Sequence, residues 1–227
     1  MNIQLAGVRN LLNKFGFGWI LGSDEETITI PLSDIKPIPL WGNFDSGFAL
    51  GEYSISESGK RKRTKVGDLL HKFKYEQNRQ AGIILADLAS DFINSQIILK
   101  SSDLMLAIPP SFRSRSFDPV SFVAERIEEK TKIRWERDVF LRTRLTKPQK
   151  SIGDRELKQL NVLNTYKLTK PLKLDGKKIL LIDDLRASGA TLNEISAILR
   201  QAKTEKIYVL VLAKTPYPKV ADLSDSG

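Results

Sequence analysis

One segment of the chain places an acidic pair and a small-residue loop between an apolar run and an amphipathic run. The four branched apolar residues 179–182 predict a strand buried on both faces, as in a parallel sheet flanked by helices. Asp183 and Asp184 follow at its carboxyl end, then residues 187–191, which are small or hydroxylated around a glycine. Residues 193–199 carry the apolar spacing of a helix. The order of strand, acids, loop and helix restricts this part of the chain to an α/β unit.

The loop of this segment has the composition of a phosphate site. Its backbone N–H groups, the hydroxyls of Ser188 and Thr191 and the positive end of the following helix dipole can together hold a phosphate. Asp183 and Asp184 are placed to accept hydrogen bonds from two neighbouring hydroxyls of a ribose attached to that phosphate. The segment therefore predicts a sugar-phosphate site. The alternative is an ordinary strand-to-helix turn with two solvated acids.

The same segment resembles the phosphoribosyl-pyrophosphate (PRPP) binding motif of type I phosphoribosyltransferases, in which apolar residues precede an acidic pair and a short Thr/Ser/Gly loop. The resemblance implies that Asp183 and Asp184 contact the ribose 2′ and 3′ hydroxyls. It implies that the 5′-phosphate is bound by Ala187, Ser188, Gly189, Ala190 and Thr191. Ala187 departs from the motif, where a threonine is common, and we expect weaker phosphate binding rather than none.

Composition narrows the chemistry that the chain can use. Its 227 residues, 41% of them hydrophobic, suffice for a sizeable core. The absence of cysteine removes disulfides, thiolate zinc sites and cysteine nucleophiles, and the single His71 argues against a histidine triad or a multi-histidine metal site. Chemistry must come from carboxylates, lysine, arginine and hydroxyls. We find neither an apolar run of about 18 residues nor a signal-peptide pattern at the start, and so expect a cytoplasmic protein with no membrane span.

The net charge of +9 favours anionic partners, and nucleic acids and polyphosphate metabolites satisfy that condition equally well. The densest basic cluster covers residues 60–65 and follows the turn-like residues 56–59. We therefore expect it on an exposed loop or at a helix entrance. A solvated charge run is one interpretation of this cluster, and contact with nucleic acid or another polyanion is the other.

The pattern of apolar residues changes along the chain. Residues 17–21, 27–30 and 48–55 look like strands separated by turns, whereas residues 66–94 have helical spacing. Beyond them, predicted strands alternate with helices, which indicates an α/β fold with a mostly parallel, doubly covered sheet. We expect a β-rich N-terminal region over residues 1–65, a phosphoribosyltransferase-like domain over 66–216 and a C-terminal tail over 217–227.

Three further segments resemble elements of the ComF family, the competence-associated branch of phosphoribosyltransferase-like proteins, and the resemblance covers about residues 66–214. They are the apolar-Lys-Tyr element at 69–75, the Ile108-Pro109-Pro110-Ser111 stretch with Arg113, Arg115 and Phe117, and the set Arg144, Lys147, Gln149, Arg155 and Asn161. The resemblance implies pyrophosphate contacts for Pro109, Pro110, Ser111, Arg113 and Arg115. Ser116 replaces a usual glycine, which restricts that backbone. Residues 144–155 would form a hood over the reacting centre.

The resemblance implies a protein that binds PRPP with Mg²⁺ and transfers ribosyl 5-phosphate to a nitrogen acceptor, releasing pyrophosphate. Positive charge develops on the ribose and negative charge on pyrophosphate, so catalysis requires positioning, Mg²⁺ and cationic side chains. The implied catalytic residues are Lys147, Arg155, Asp183 and Asp184, and no residue is assigned as a metal ligand.

Two other functions stay open at this point. The chain could be a non-catalytic ComF-like module in DNA uptake or processing, with single-stranded DNA or a competence-machinery protein as partner, or a scaffold with a degenerate pocket. Members of the family usually carry zinc-binding cysteines near the N-terminus, and this chain has none, so a zinc-dependent role is excluded. Dimers are common in the fold by resemblance, and the oligomeric state stays open, with a homodimer as one outcome.

Overall fold

A five-stranded sheet organises the chain in its computed structural model, which describes residues 35–57, 59–110, 117–143, 165–169 and 173–216. The strands are β1 Ile38–Pro39, β2 Ser46–Ala49, β3 Ser54–Glu57, β4 Lys60–Arg63, β5 Leu104–Ala107, β6 Phe140–Arg142, β7 Tyr166–Leu168, β8 Lys178–Arg186 and β9 Lys206–Lys214. The helices are α1 Lys65–Tyr75, α2 Arg79–Ser95, α3 Ile97–Lys100, α4 Pro119–Thr131 and α5 Ala190–Gln201.

The central sheet has the order β1-β2-β9-β8-β5. Strands β2, β9, β8 and β5 run parallel, and β1 adds an antiparallel edge. In the middle of the sheet, Ile182 of β8 is paired with Ala107 on one side and with Leu210 on the other. Parallel strands end at a common edge, where ligands of such sheets gather. The expectation of a mostly parallel α/β sheet is confirmed.

The two faces of the sheet are buried in two separate clusters. Leu180 and Ile182 of β8 pack towards residues of α1, α2 and α4, and we call this side the α1 face. Ile179 and Leu181 pack towards α5, and we call this side the α5 face. Full burial of such a side chain stabilises the fold by about 1.5–3 kcal/mol. The run 179–182 is therefore uniformly apolar because both of its faces are covered.

The helical pattern over residues 66–94 corresponds to two helices. The hydroxyl of Thr64 accepts a hydrogen bond from the Gly67 amide at 2.9 Å and caps α1, and Asn78 caps α2 through the Ala81 amide at 2.9 Å. Between them, Gln77 has a φ of 55°, which turns the chain. The break ends α1 near the carboxyl edge of the sheet, so its last turn can contribute to a site there.

The β-rich region before α1 is divided between two sheets. The single strand expected over residues 48–55 is two strands: β2 pairs with β9 in the central sheet, and β3 forms an exposed hairpin with β4. The basic run is strand β4 rather than a loop, and its four residues are all exposed. Thr64 then begins the helix, as expected.

Some expectations fall on residues that the structure does not describe: the strands at 17–21 and 27–30 and the tail over 217–227. The domain boundary at residue 65 stays a prediction. Within the described ranges, no helix has both the length and the apolar character needed to cross a bilayer.

Candidate functional site

The acidic pair lies inside strand β8 rather than after it. Pairing with β9 continues through Asp183, opposite Val211, and through Leu185, opposite Ala213. Successive side chains of a strand point to opposite faces. Asp184 is directed to the α1 face, where it meets Lys74. Asp183 is within electrostatic reach of Lys74 and Asp118 on that side and of Tyr166 on the other.

Asp184 is paired with a lysine from α1. The Lys74 ammonium lies 2.6 Å from Asp184 Oδ2, and the two side chains are only 13% and 15% exposed. An ion pair this well shielded from water is stronger than a surface pair, and loss of either member leaves a buried charge without its partner. The carboxylate that is expected to bind a ribose hydroxyl thus already has one cationic neighbour.

Asp183 lies in an environment that disfavours its charged form. Burial and the negative charge of Asp184 raise the pKa of Asp183 to about 8, and Asp118 acts in the same direction. The Asp184 amide, which donates to Asp183 Oδ1 at 2.8 Å, and the Lys74 ammonium lower this pKa in part. The neutral form of Asp183 is therefore favoured more than it is in an exposed carboxyl.

The phosphate loop is shorter than expected, because α5 begins at Ala190 and only residues 187–189 lie between strand and helix. Gly189 occupies the N-cap position with a φ of 82°, a conformation that favours glycine. A Cβ on Gly189 would lie 2.8 Å from Nη2 of Arg186, so the loop backbone rests directly on this guanidinium. Ala190 and Thr191 belong to the first turn of the helix, whose N–H groups lack intrahelical partners.

Arg186 supplies a buried positive charge under this loop. Its side chain is almost fully enclosed, and Nη2 donates to the backbone carbonyl of Trp41 at 3.0 Å. The guanidinium and the positive end of the α5 dipole act together on any group above Gly189. The loop is therefore built to attract an anion.

A glutamate and a tyrosine tie strand β7 to the start of α5. Glu194 Oε1 accepts hydrogen bonds from the backbone amides of Thr165 and Tyr166 at 2.5 and 3.1 Å. The Tyr166 hydroxyl shares a hydrogen bond with Thr191, and burial, with the Asp183 and Glu194 carboxylates, raises the pKa of Tyr166 to about 12. Residues Thr165 and Tyr166, at the start of β7, are thus anchored on α5.

The expected pyrophosphate loop begins at the same edge of the sheet. The Ile108 amide donates to the Ile182 carbonyl at 3.0 Å, and Pro109 and Pro110 follow immediately. Their position places the start of this loop beside the acidic pair. The remaining expected residues of this group and of the hood lie outside the described part of the chain: Ser111, Arg113, Arg115, Arg144, Lys147, Gln149, Arg155 and Asn161.

A cavity of about 260 Å³ opens next to Pro109, between the end of β5, the start of α4 and the segment before β6. Its described lining includes three acidic residues, Asp118, Glu136 and Asp138, and one cation, Arg137. Arg137 itself lies over the ring of Trp135 at 4.1 Å from the centroid. This surplus of carboxylates disfavours a polyphosphate in this cavity.

Sequence reasoning assigned no role to four residues that the structure brings to this site. They are Lys74, Arg186, Tyr166 and Glu194. Lys74 lies within the segment that resembles the apolar-Lys-Tyr element, and Arg186 lies three residues before Gly189, so both were visible in the sequence. The contacts that bring Tyr166 and Glu194 to the site, by contrast, join positions 28 residues apart.

The comparisons with known proteins concern the family of the chain and its fold. Residues 74–225 match the family described as phosphoribosyl transferase domain. The chain is 23% identical over 156 residues to the DNA utilization protein YhgH of Escherichia coli O6:H1 (strain CFT073), covering 66% of this chain and 67% of that protein. These matches confirm the predicted resemblance to phosphoribosyltransferase-like proteins of the ComF kind.

Solved structures similar to the chain include two enzymes of nucleotide metabolism. Adenine phosphoribosyltransferase from Leishmania donovani is 12% identical, with a TM-score of 0.43, over 78% of this chain and 68% of that one. The allosteric regulatory enzyme of purine biosynthesis is 16% identical, with a TM-score of 0.40, over 64% of this chain. The chain spans only 31% of the length of that enzyme. On its match over residues 74–225, the chain belongs to the phosphoribosyl transferase domain family.

Proposed function

We propose that this chain binds PRPP at the carboxyl edge of β8, with Mg²⁺ carried on the ligand. One observation supports this above the others: an acidic pair lies near the carboxyl end of a central parallel strand and is followed within a few residues by a glycine loop over the buried guanidinium of Arg186. A ribose with a 5′-phosphate presents two hydroxyls and an anion. The edge thus offers acceptors for the hydroxyls beside donors for the phosphate.

The proposed binding mode gives each group of the ligand a partner. Asp183 and Asp184 accept hydrogen bonds from the ribose hydroxyls. The 5′-phosphate lies over Gly189, where it meets the N–H groups of the first turn of α5 and the hydroxyls of Ser188 and Thr191. Phosphate binding there competes with the hydrogen bond between Thr191 and Tyr166. Occupation of the loop is therefore linked to strand β7 through Tyr166.

The chemistry of the donor groups fits a magnesium ion held mainly by the ligand. Mg²⁺ prefers oxygen ligands, keeps several waters and is usually bound through substrate phosphates with one or two carboxylates. The described ranges contain no group of three or more His, Cys, Asp or Glu side chains that could hold a metal ion. The pyrophosphate oxygens of the ligand would hold the ion, which neutralises charge on the leaving group.

A transfer step at this site would break the bond between C1 of the ribose and the pyrophosphate oxygen, which leaves with the electron pair. A bond from C1 to the acceptor nitrogen forms, and the nitrogen loses its proton. Asp183 and Asp184 hold the ribose in place while positive charge develops at C1. Lys147 and Arg155, with Arg113 and Arg115, would bind the departing pyrophosphate.

The first prediction tests ligand binding directly. In calorimetric titrations with PRPP and MgCl₂, we expect the unmodified chain to bind and the double variant Asp183→Asn/Asp184→Asn to show no measurable heat of binding. Asparagine keeps the size of each side chain but removes its charge and half of its acceptor capacity. Omitting MgCl₂ should weaken binding to the unmodified chain, because the pyrophosphate charge is then uncompensated.

The matched control is Asp91→Asn/Asp175→Asn, which removes two exposed carboxylates away from the site and should bind PRPP like the unmodified chain. Circular dichroism checks that each variant is folded. Unchanged affinity in the Asp183/Asp184 variant, or no binding by the unmodified chain, would overturn the proposed function.

A second candidate function is contact with single-stranded nucleic acid through the β3–β4 hairpin. The hairpin exposes four consecutive cations, Lys60–Arg63, against the one carboxylate of Glu57, which lies 3.6 Å from the Lys62 ammonium. The hairpin starts at the edge of the sheet that carries the acidic pair. Glu52, just before β3, forms a β-bridge there with Lys214 at the end of β9. One similar protein is described as a DNA utilization protein, and this description favours nucleic acid as the partner of the hairpin.

We expect Lys60→Glu/Arg61→Glu to weaken binding of a fluorescein-labelled oligothymidine by about tenfold or more and to flatten its dependence on salt, since each phosphate contact contributes to the salt slope. Fluorescence anisotropy over a salt series measures both quantities. Lys100→Glu/Lys177→Glu removes two exposed cations elsewhere and is the control. An equal loss in both variants, or no binding at low salt, rules out the hairpin as the DNA contact.

A further inference from the structure

We propose that Lys74 is a positioning residue of the acidic pair: its ammonium holds one oxygen of the Asp184 carboxylate, so that the other oxygen is available to the ligand. This inference rests on the proposed function, because the ligand it concerns is PRPP. It adds a residue of α1 to a site otherwise built from β8 and α5. It also gives a role to the segment around Lys74 that the binding mode above leaves unused.

The position of Lys74 is determined by the packing of α1. Thr64 caps the helix at its start, and Gly67 allows it to approach the backbone of Tyr53 closely. Phe73, next to Lys74, is fully buried in the core of the α1 face. The last turn of a helix also stabilises a cation through the negative end of the dipole. The ammonium is therefore held beside Asp184 by the packed helix α1, not by a loop.

Charge balance requires a cation at this point. Two neighbouring carboxylates in a shielded site cannot both ionise without compensation. The groups that face Asp183 are Asp184 on β8, Lys74 on α1, Asp118 at the start of α4 and Tyr166 on β7. Lys74 is the one cation among these four. Its removal would leave the two carboxylates without the positive charge that lowers the pKa of Asp183 in part.

The geometry leaves room for the ligand. A carboxylate has two oxygens with about four acceptor positions. The Lys74 ammonium lies 2.6 Å from Oδ2 of Asp184. Oδ1 can therefore accept a hydrogen bond from a ribose hydroxyl without displacing the ammonium. The lysine thus orients the carboxylate and stays in place when the ligand binds.

The test compares Lys74→Met, Lys74→Arg and Lys72→Met in the full chain. In each, ¹³C NMR of selectively labelled aspartate carboxyls follows the titration of Asp183 without ligand, and calorimetry measures PRPP affinity across pH. For Lys74→Met we expect the titration midpoint of Asp183 to rise and the affinity for PRPP at neutral pH to fall about tenfold. The loss of PRPP affinity on acidification should then begin at a higher pH than in the unmodified chain. Lys74→Arg should restore most of the affinity.

Lys72→Met is the matched control, because Lys72 lies on the same helix but pairs with the half-exposed Asp68 at 3.0 Å. An Asp183 midpoint that does not move in Lys74→Met, or an equal affinity loss in Lys72→Met, would overturn the inference. If Lys74→Met fails to fold, Lys74→Gln replaces it. Should the unmodified chain not bind PRPP while the Asp183 midpoint still rises in Lys74→Met, the proposed function fails and the electrostatic role of Lys74 stands.

Discussion

Replacement of Gly67 by alanine is expected to destabilise the protein by about 3 kcal/mol or more, at the upper end of the cost of overpacking. A Cβ at this position would lie 1.8 Å from the carbonyl oxygen of Tyr53 and 2.6 Å from its carbon. Both contacts are with backbone, which cannot rotate away as a side chain can. The first turn of α1 would have to move off the segment before the basic hairpin, and Lys74 moves with the helix.

The measurement is urea unfolding followed by tryptophan fluorescence, with PRPP affinity as a second readout. Gly51→Ala is the matched control, because a Cβ there would make an ordinary contact with Val66 at 3.4 Å. We expect that variant to change the free energy of unfolding by less than about 1 kcal/mol. Similar values for the two variants would show that the close approach of Gly67 to Tyr53 does not limit the packing of α1.

Asp183→Asn is expected to stabilise the protein, and to do so increasingly as the pH rises. The pKa of Asp183 is raised from 3.8 to about 8 in the folded chain, mainly by burial and by Asp184. Between these two values the folded state keeps a proton that the unfolded state has lost, so the stability of the unmodified chain falls with rising pH. Asparagine removes this dependence, because it has no proton to lose.

The pH range of the effect follows from the shift. One pKa unit corresponds to about 1.4 kcal/mol, so we expect a gain of several kcal/mol at pH 8 and above and almost none near pH 4. Thermal unfolding of both proteins over this pH range gives the difference. Asp91→Asn, at an exposed position, should show no such trend. A pH-independent difference between Asp183→Asn and the unmodified chain would contradict the raised pKa.

The Asp183→Asn variant connects the stability of the protein to the proposed ligand. A site that holds two acids side by side in a shielded position lowers the stability of the empty protein, a common consequence of functional sites. PRPP would supply hydroxyl donors to both carboxylates. The variant that is most stable at high pH is thus expected to be among the weakest binders.

The local order of strand, acids, loop and helix was predictable from the sequence because each part has its own short-range pattern. Residues 179–182 are uniformly apolar, which indicates a strand covered on both faces, and Gly189 marks the left-handed turn that begins α5. The spacing of Asn193 to Leu199 predicted the helix but missed its first turn, because the small residues before it look like loop. Strand pairing with β9 then extended β8 through Arg186.

The partners of the acidic pair depended on the tertiary structure. Asp184 meets a lysine more than a hundred positions earlier only because α1 packs on one face of the sheet and ends at its carboxyl edge. Tyr166 meets Thr191 because β7 crosses the start of α5 on the other face. By itself, the sequence determined the class of fold and the order of strand, acids, loop and helix on which the predicted sugar-phosphate site rests, since those follow from local periodicity and spacing. The tertiary structure alone decided the charge state and neighbours of that motif, because burial and long-range contacts arise only from packing.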